Sequence, residues 1–238
     1  MIVRDTGDSW QIVFQTDHAD VSGAMARAWA EQGLHHNSLI VAAERHDDGW
    51  AVWEQAPQVD DAGKPVNFLE VGVPAHLAFY RAGIAAITEQ DHYAGLLVSM
   101  HGAGIYRQRY GLDPGLGLSR AAEVQDQVAA FVAEQEAKFG GDLGEHRGEY
   151  ELLQIYDRFS LYFCMRDVEG GEEAEIQGHR FEPLAPWRVR LDPFPFAESP
   201  ARFELLRYVL PKGSRTPAEF QAEMATAQPE STELSVEA

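Results

Sequence analysis

The sequence predicts a mainly α fold, a helical bundle carrying a small β-rich module. Three observations predict it. Apolar residues recur at helical spacing through most of residues 16–166, with Asx, Ser and Gly at the segment ends. After Asp167 the pattern changes to prolines, glycines and short strand-like runs. A chain of 238 residues with 45% hydrophobic content can bury a sizeable core without disulfide staples.

The elements follow in order. Two short strands open the chain, one beginning at Ile2–Val3 and one over Trp10–Phe14, with turn chemistry at Asp5–Asp8. Thr16 or Asp17 caps a helix whose face carries Val21, Met25, Ala26 and Trp29 and which ends by Gly33. Asn37 or Ser38 caps a second helix, from Leu39 towards Gly49. Residues 54–73, with Pro57, Asp60, Asp61, Gly63 and Pro65, read as a long loop, a feature often tied to function. Pro74 suits the first turn of a helix over 75–88, and another helix covers 91–106. Residues 110–118 form a glycine-rich linker. Ser119 caps a long acidic helix to Phe139, stopped by Gly140–Gly141, and 145–165 is the last large helix.

The chain thus divides into N-terminal strands (1–15), a helical domain (16–166), a β-rich module (167–213), and a short helix with a frayed acidic tail (214–238). Strands are expected at Trp187–Leu191 and Phe203–Val209, with the N-terminal strands as candidates to pair with them.

Charge narrows the function classes. There are 38 Asp plus Glu against 19 Lys plus Arg, a net charge of −19. Phosphate backbones and anionic lipids call for the opposite excess, so neither nucleic acid nor a membrane surface is an expected partner. Cys164 is the only cysteine, which excludes an internal disulfide and a Cys-rich zinc site. No run approaches the ~18 apolar residues of a membrane span, and the first residues lack a signal-peptide core. A cytoplasmic location is expected.

The most informative string is Ala42–Trp53, AAERHDDGWAVW. His46 shares a helical face with Leu39, Ala42, Ala43 and Trp50, so it points inward and needs a partner or a metal. His18 lies on the apolar face of the preceding helix; alone, it reads as a satisfied core or capping histidine rather than a ligand. The midpoint between 18 and 46 is residue 32, beside the expected turn. An antiparallel hairpin folded there brings His18 level with His46–Asp47. Asp157 interrupts the apolar run Leu152–Phe163, with Leu153, Gln154, Ser160 and Leu161 as its helical neighbours. An acid there is either ion-paired or bound to a cation.

In the order H…HD…D, these residues resemble the metal site of the HD-domain superfamily of metal-dependent phosphohydrolases. The chain also resembles an uncharacterised bacterial family, a domain of unknown function, with a strand like Met1–Arg4, a stretch like Gln15–Ala19 (QTDHA), an HDDGW motif and a late helix like Leu153–Cys164. The superfamily resemblance implies an HD-like helical bundle in which His18, His46, Asp47 and Asp157 bind the metal. In its dinuclear branch, additional histidines between the doublet and the last Asp bind a second ion. His76, His92 and His101 occupy that interval.

The residue chemistry agrees. Two imidazoles and two carboxylates suit Mn, Fe, Co, Ni or Zn better than Ca. Such an ion lowers the pKa of water and polarises a phosphoryl oxygen. The expected activity is hydrolysis of a small phosphate ester or related anion. Asp48 and His101 are candidates to handle a proton, and Arg107 and Arg109 to clamp the anion. Two alternatives stand beside it: a di-iron oxygenase of the HD type, which needs His76 or His101 as ligands, and a binding or regulatory protein without turnover. Dinucleotide loops, phosphate loops, HExxH and GxSxG motifs are not found.

Overall fold

A computed structural model of the chain describes residues 1–112, 124–166 and 171–238. The chain opens with a hairpin of β1 (Ile2–Asp5) and β2 (Ser9–Val13). Helices α1 (Gln15–Ala28), α2 (His36–Arg45) and the single turn α3 (Ala51–Glu54) follow. Then come α4 (Val73–Gln90), α5 (His92–Tyr106), α6 (Gln125–Glu136) and α7 (Arg147–Met165). Strands β3 (Ala174–Ile176), β4 (His179–Ala185), β5 (Arg188–Asp192) and β6 (Ala201–Pro211), helix α8 (Pro217–Thr226) and β7 (Glu230–Glu237) complete it.

The expectation of a mainly α bundle with a small β module is overturned. About 52% of the structure is helix and 21% strand. All seven strands form one mixed, curled sheet in the order β1-β2-β6-β7-β5-β4-β3. The N-terminal hairpin joins it through antiparallel pairing of β2 with β6. β7 lies near its centre, antiparallel to β6 and parallel to β5.

Residues 230–237, expected to fray, are therefore an interior strand. Leu234 and Val236 point into the core, Glu230 is exposed at the strand's start, and Glu233 and Glu237 lie on the opposite face. Those three carboxylates pair across strands with Arg207, Arg202 and Arg188. The charges that made the segment look solvated are the outer face of an alternating strand, at Glu233 and Glu237, and its exposed first residue, Glu230.

β6 explains how the sheet serves two cores. Ala201, Phe203 and Leu205 point into the main helical core, whereas Leu210 faces a second cluster of Met1, Ile12, Phe220 and Met224. Helix α8 covers that opposite face through Phe220 and Met224. β2 splits likewise, Val13 to the main core and Ile12 to the second. On the main side, α7 packs Phe159 and Tyr162 against Phe181 of β4 at 4.8 and 4.4 Å between ring centres.

Several boundaries moved for identifiable reasons. α1 ends at Ala28, before Gly33, because Trp29 turns extended and bridges to Phe196. The backbone bonds Ala30 N–H to Pro195 O and Ala197 N–H to Ala28 O hold it there. The expected cap at Ser119 and the linker residues 113–118 lie outside the described residues. Gly140 and Gly141 follow α6 in the left-handed conformation, as a helix stop requires. Among the described residues no helix is long and apolar enough to cross a membrane.

Candidate metal centre

α1 starts directly after β2 without a side-chain cap of its own residue Phe14. Glu54 of α3 supplies the capping carboxylate: Gln15 N–H donates to its Oε1 at 2.5 Å and Thr16 Oγ1 to its Oε2 at 3.1 Å. This places His18 in the first turn, buried. α2 runs back antiparallel, and Gly23 lies against Glu44. The helix stops at His46, and Asp47 leaves helical geometry at φ −110°, ψ 13°. His18 Nε2 then lies 3.0 Å from Asp47 Oδ2, as the hairpin register required. Asp157, midway along α7, brings Oδ1 to 3.6 Å from His46 Nε2.

His18, His46, Asp47 and Asp157 are thus gathered in one buried place. They form two overlapping triads, His18–His46–Asp47 and His46–His101–Asp157, each with its ligand atoms within 4.8 Å of one another. His46 belongs to both. Its Nδ1 donates to Ala43 O at 2.8 Å, so Nε2 carries the lone pair of the neutral ring. That Nε2 is buried, has no hydrogen-bond partner, and faces Asp47 Oδ2 at 3.7 Å and Asp157 Oδ1 at 3.6 Å. Ligand atoms ~2.1 Å from an ion, 90–120° apart, are separated by roughly 3.0–3.6 Å. The donor set and the orphaned nitrogen fit a divalent transition metal.

Each of the four has an outer partner that fixes it. Ser160 Oγ donates to Asp157 O, so it accepts from His18 Nδ1 at 2.8 Å and leaves His18 Nε2 to face Asp47. Tyr80 Oη donates to Asp47 Oδ1 at 2.7 Å. Arg109 Nη1 donates to Asp157 Oδ2 at 2.8 Å. Such partners fix the orientation of metal ligands, and an acceptor on the far nitrogen of a histidine also raises its basicity.

The electrostatics favour a cation at the centre. Burial alone lowers the His46 imidazole, but the Asp47 and Asp157 carboxylates outweigh it and raise it to about 9. Burial raises both acids, yet His46 and His18 hold Asp47 below the carboxylate range, and Arg109 and His46 hold Asp157 well below it. His101 goes the other way: burial and the neighbouring His46 push it down to about 3. Burial and the Asp47 charge raise the Tyr80 phenol, which stays protonated.

A cavity of about 50 Å³ adjoins the cluster, lined by His18, Asp47, Tyr80, His101, Arg109 and Asp157. It has room for an ion and a few waters. Phe68, Leu69, Ile105 and Tyr106 line its apolar side. Phe68 and Leu69 come from the long loop, where Asn67 and Glu70 form a capping box. Leu69 is 38% exposed, so this loop is part of the cavity's rim.

The remaining candidates are distributed differently. Arg109 enters the cavity wall because Gln108, Arg109 and Tyr110 all adopt left-handed φ angles of 47–53°, turning it inward onto Asp157 and Gln154. Arg107 instead pairs with Glu136 at the surface. Asp48 faces away from the cavity lining and is held by Arg45 at 2.5 Å. His76 lines the cavity and bonds Tyr106 Oη at 2.6 Å, but belongs to neither triad. His92 is an exposed first residue of α5. His179 is half-buried against Phe159.

Sequence reasoning missed Tyr80, Gln154 and Ser160 as parts of the site. Gln154 and Ser160 had a signal: they are the polar residues at i−3 and i+3 of Asp157 in an apolar helix. Tyr80 follows His76 by one turn, on the same face of α4.

The chain belongs to the family described as a protein of unknown function, DUF3891, whose model matches residues 1–212. No curated protein and no solved structure matches it.

Proposed function

We propose that this DUF3891 member is a metal-dependent hydrolase acting on a small phosphate ester or related anion, with a metal centre of the HD type built on a different scaffold. The observation that carries the reading is the buried, partnerless His46 Nε2 facing two carboxylates beside a second imidazole. His18, His46, Asp47 and Asp157 hold a Mn, Fe, Co, Ni or Zn ion. When bound, the ion supplies an acidified water and polarises a phosphoryl oxygen.

The protein's own residues do the rest. A divalent ion and Arg109 together exceed the charges of Asp47 and Asp157 by one positive unit, which favours an anionic substrate. Asp157 and Gln154 engage Arg109 through Nη1, which leaves its other guanidinium donors for an anion in the cavity. His101 faces the cavity and handles a proton there. Phe68 and Leu69 limit water access at the rim.

The test begins with metal content. The protein, purified without added metal and then incubated with Mn, Co or Zn, is expected to retain the ion, while His46→Ala and Asp157→Ala lose it. Phosphate esters are then screened with each ion. Equal, negligible metal in wild type and variants overturns the proposal and leaves a binding role without turnover.

A further inference from the structure

Three imidazoles, His18, His46 and His101, meet in the buried cluster, and their hydrogen bonds sort them into two kinds. His18 and His46 each hold a proton on Nδ1, against Ser160 Oγ and Ala43 O, and turn Nε2 to the carboxylates, that of His18 to within 3.0 Å of Asp47 Oδ2. His101 is reversed, and the cause lies two residues away.

Arg109 is an obligate donor. Its Nη1 contacts Gln154, so the carboxamide oxygen Oε1 must face it. The opposite flip would set an NH₂ against the guanidinium. Gln154 Nε2 therefore points the other way and donates to His101 Nδ1 at 3.1 Å. A ring nitrogen that accepts holds no proton, so His101 is neutral and its one N–H is on Nε2. That N–H faces Tyr80 Oη at 3.4 Å, whose own proton goes to Asp47 Oδ1. Every bond direction from Arg109 to Asp47 follows from the first donor.

We propose that Arg109, through Gln154, locks His101 in the Nε2–H tautomer, so that His101 carries a proton at the cavity wall and the centre takes one metal ion. Distance alone would admit His101 as a ligand of a second ion. Neither of its nitrogens is available: Nδ1 is covered by Gln154 and Nε2 holds the proton. His46 has one outward nitrogen, which cannot serve two ions. The guanidinium on Asp157 Oδ2 supplies positive charge where a second ion would otherwise sit. Arg109 and Gln154 are positioning residues, and His101 is the group they position. The stoichiometry part rests on the metal reading above, whereas the tautomer part does not.

Long-range ¹H–¹⁵N correlation on ¹⁵N-histidine-labelled, metal-free full chain reads the tautomer, with His101 assigned by the signal lost in His101→Gln. Nε2–H with a bare Nδ1 is expected. Nδ1–H or an imidazolium in the wild type overturns the lock. Gln154→Glu replaces the donor by an acceptor and is expected to move the proton to Nδ1. If it does not fold, Gln154→Met removes the donor and should give mixed tautomers; an unchanged Nε2–H in whichever variant folds also overturns the lock. Titration with Co(II), read by elemental analysis, should give one ion per chain in wild type, rising towards two in Gln154→Glu. Two ions in wild type overturn the one-ion claim. No bound ion together with Nε2–H overturns the metal reading and leaves the lock standing.

Discussion

Tyr80 holds Asp47 by a single 2.7 Å hydrogen bond, and its removal isolates what an orienting partner contributes. Tyr80→Phe keeps the ring packing and deletes only the donor. Metal affinity is expected to fall by roughly 10–100-fold. Competition with a chelator measures it, and unchanged affinity would show that Asp47 needs no such support. Arg109→Met tests the neighbouring carboxylate. It leaves Asp157 buried without its guanidinium, which should destabilise the metal-free protein by about 3–5 kcal/mol in chemical denaturation. A loss under about 1 kcal/mol would mean that His46 alone can neutralise Asp157. At this scale the ligands were legible because each is a polar group on an apolar helical face. Asp48 and Arg107 were equally polar, yet both lie just past a helix end, where the backbone turns them to Arg45 and Glu136 instead.

The elements around the site are held by close backbone contact and by one costly turn. Gly49, inside the HDDGW string, lies so near α4 that an added Cβ would meet Phe79 O at 1.9 Å, and Gly83 lies opposite it. Gly49→Ala must push α4 away and should cost about 1–3 kcal/mol or more. A neutral thermal shift would refute that account of the motif's glycine. After α5, three consecutive non-glycine residues in the left-handed region each cost about 1–2 kcal/mol. The ion pair that the turn presents to Asp157 offsets part of this. Gln108 is exposed, so Gln108→Gly should relieve strain and stabilise the protein by up to about 1 kcal/mol. A clear loss of stability would place the strain elsewhere. The α1–α2 hairpin was readable from spacing alone, since a midpoint turn fixes which residues lie level. The inward turn at Arg109 was not, because three non-glycine residues carry no signal for left-handed backbone.

Across the whole molecule, β7 ties the N-terminal hairpin and β6 to the β5-β4-β3 side of the sheet. Leu234→Ala should therefore cost about 2–5 kcal/mol, as for a core residue, where a frayed tail would lose nothing. Metal-free stability should also depend on pH. His46 rises from 6.5 unfolded to about 9 folded, so its contribution is full below pH 6.5 and is lost as pH rises through 9. Asp47 and Asp157 are depressed, so theirs is present above their ordinary 3.8 and lost as pH falls further. Asp17, pushed to about 7 by burial and by Glu54, gives a separate decline between pH 3.8 and about 7, below the His46 window. Thermal unfolding should fall between pH 6.5 and 9, and bound metal should remove the His46 part of that fall. A flat metal-free profile over that range would contradict the electrostatics of the cluster.

Local pattern determined the helices, most strands, the hairpin register and the four candidate ligands, because each depends on residues a few positions apart. Tertiary structure alone decided that there is one seven-stranded sheet. Its pairings join β2 to β6 and β5 to β7 across long stretches of chain, and β7 shows only two inward apolar residues among cross-paired glutamates. It also decided what each histidine meets. A ring's tautomer follows from which donor or acceptor the fold sets against it, and Ser160, Ala43 and Gln154 meet their imidazoles only in the folded chain.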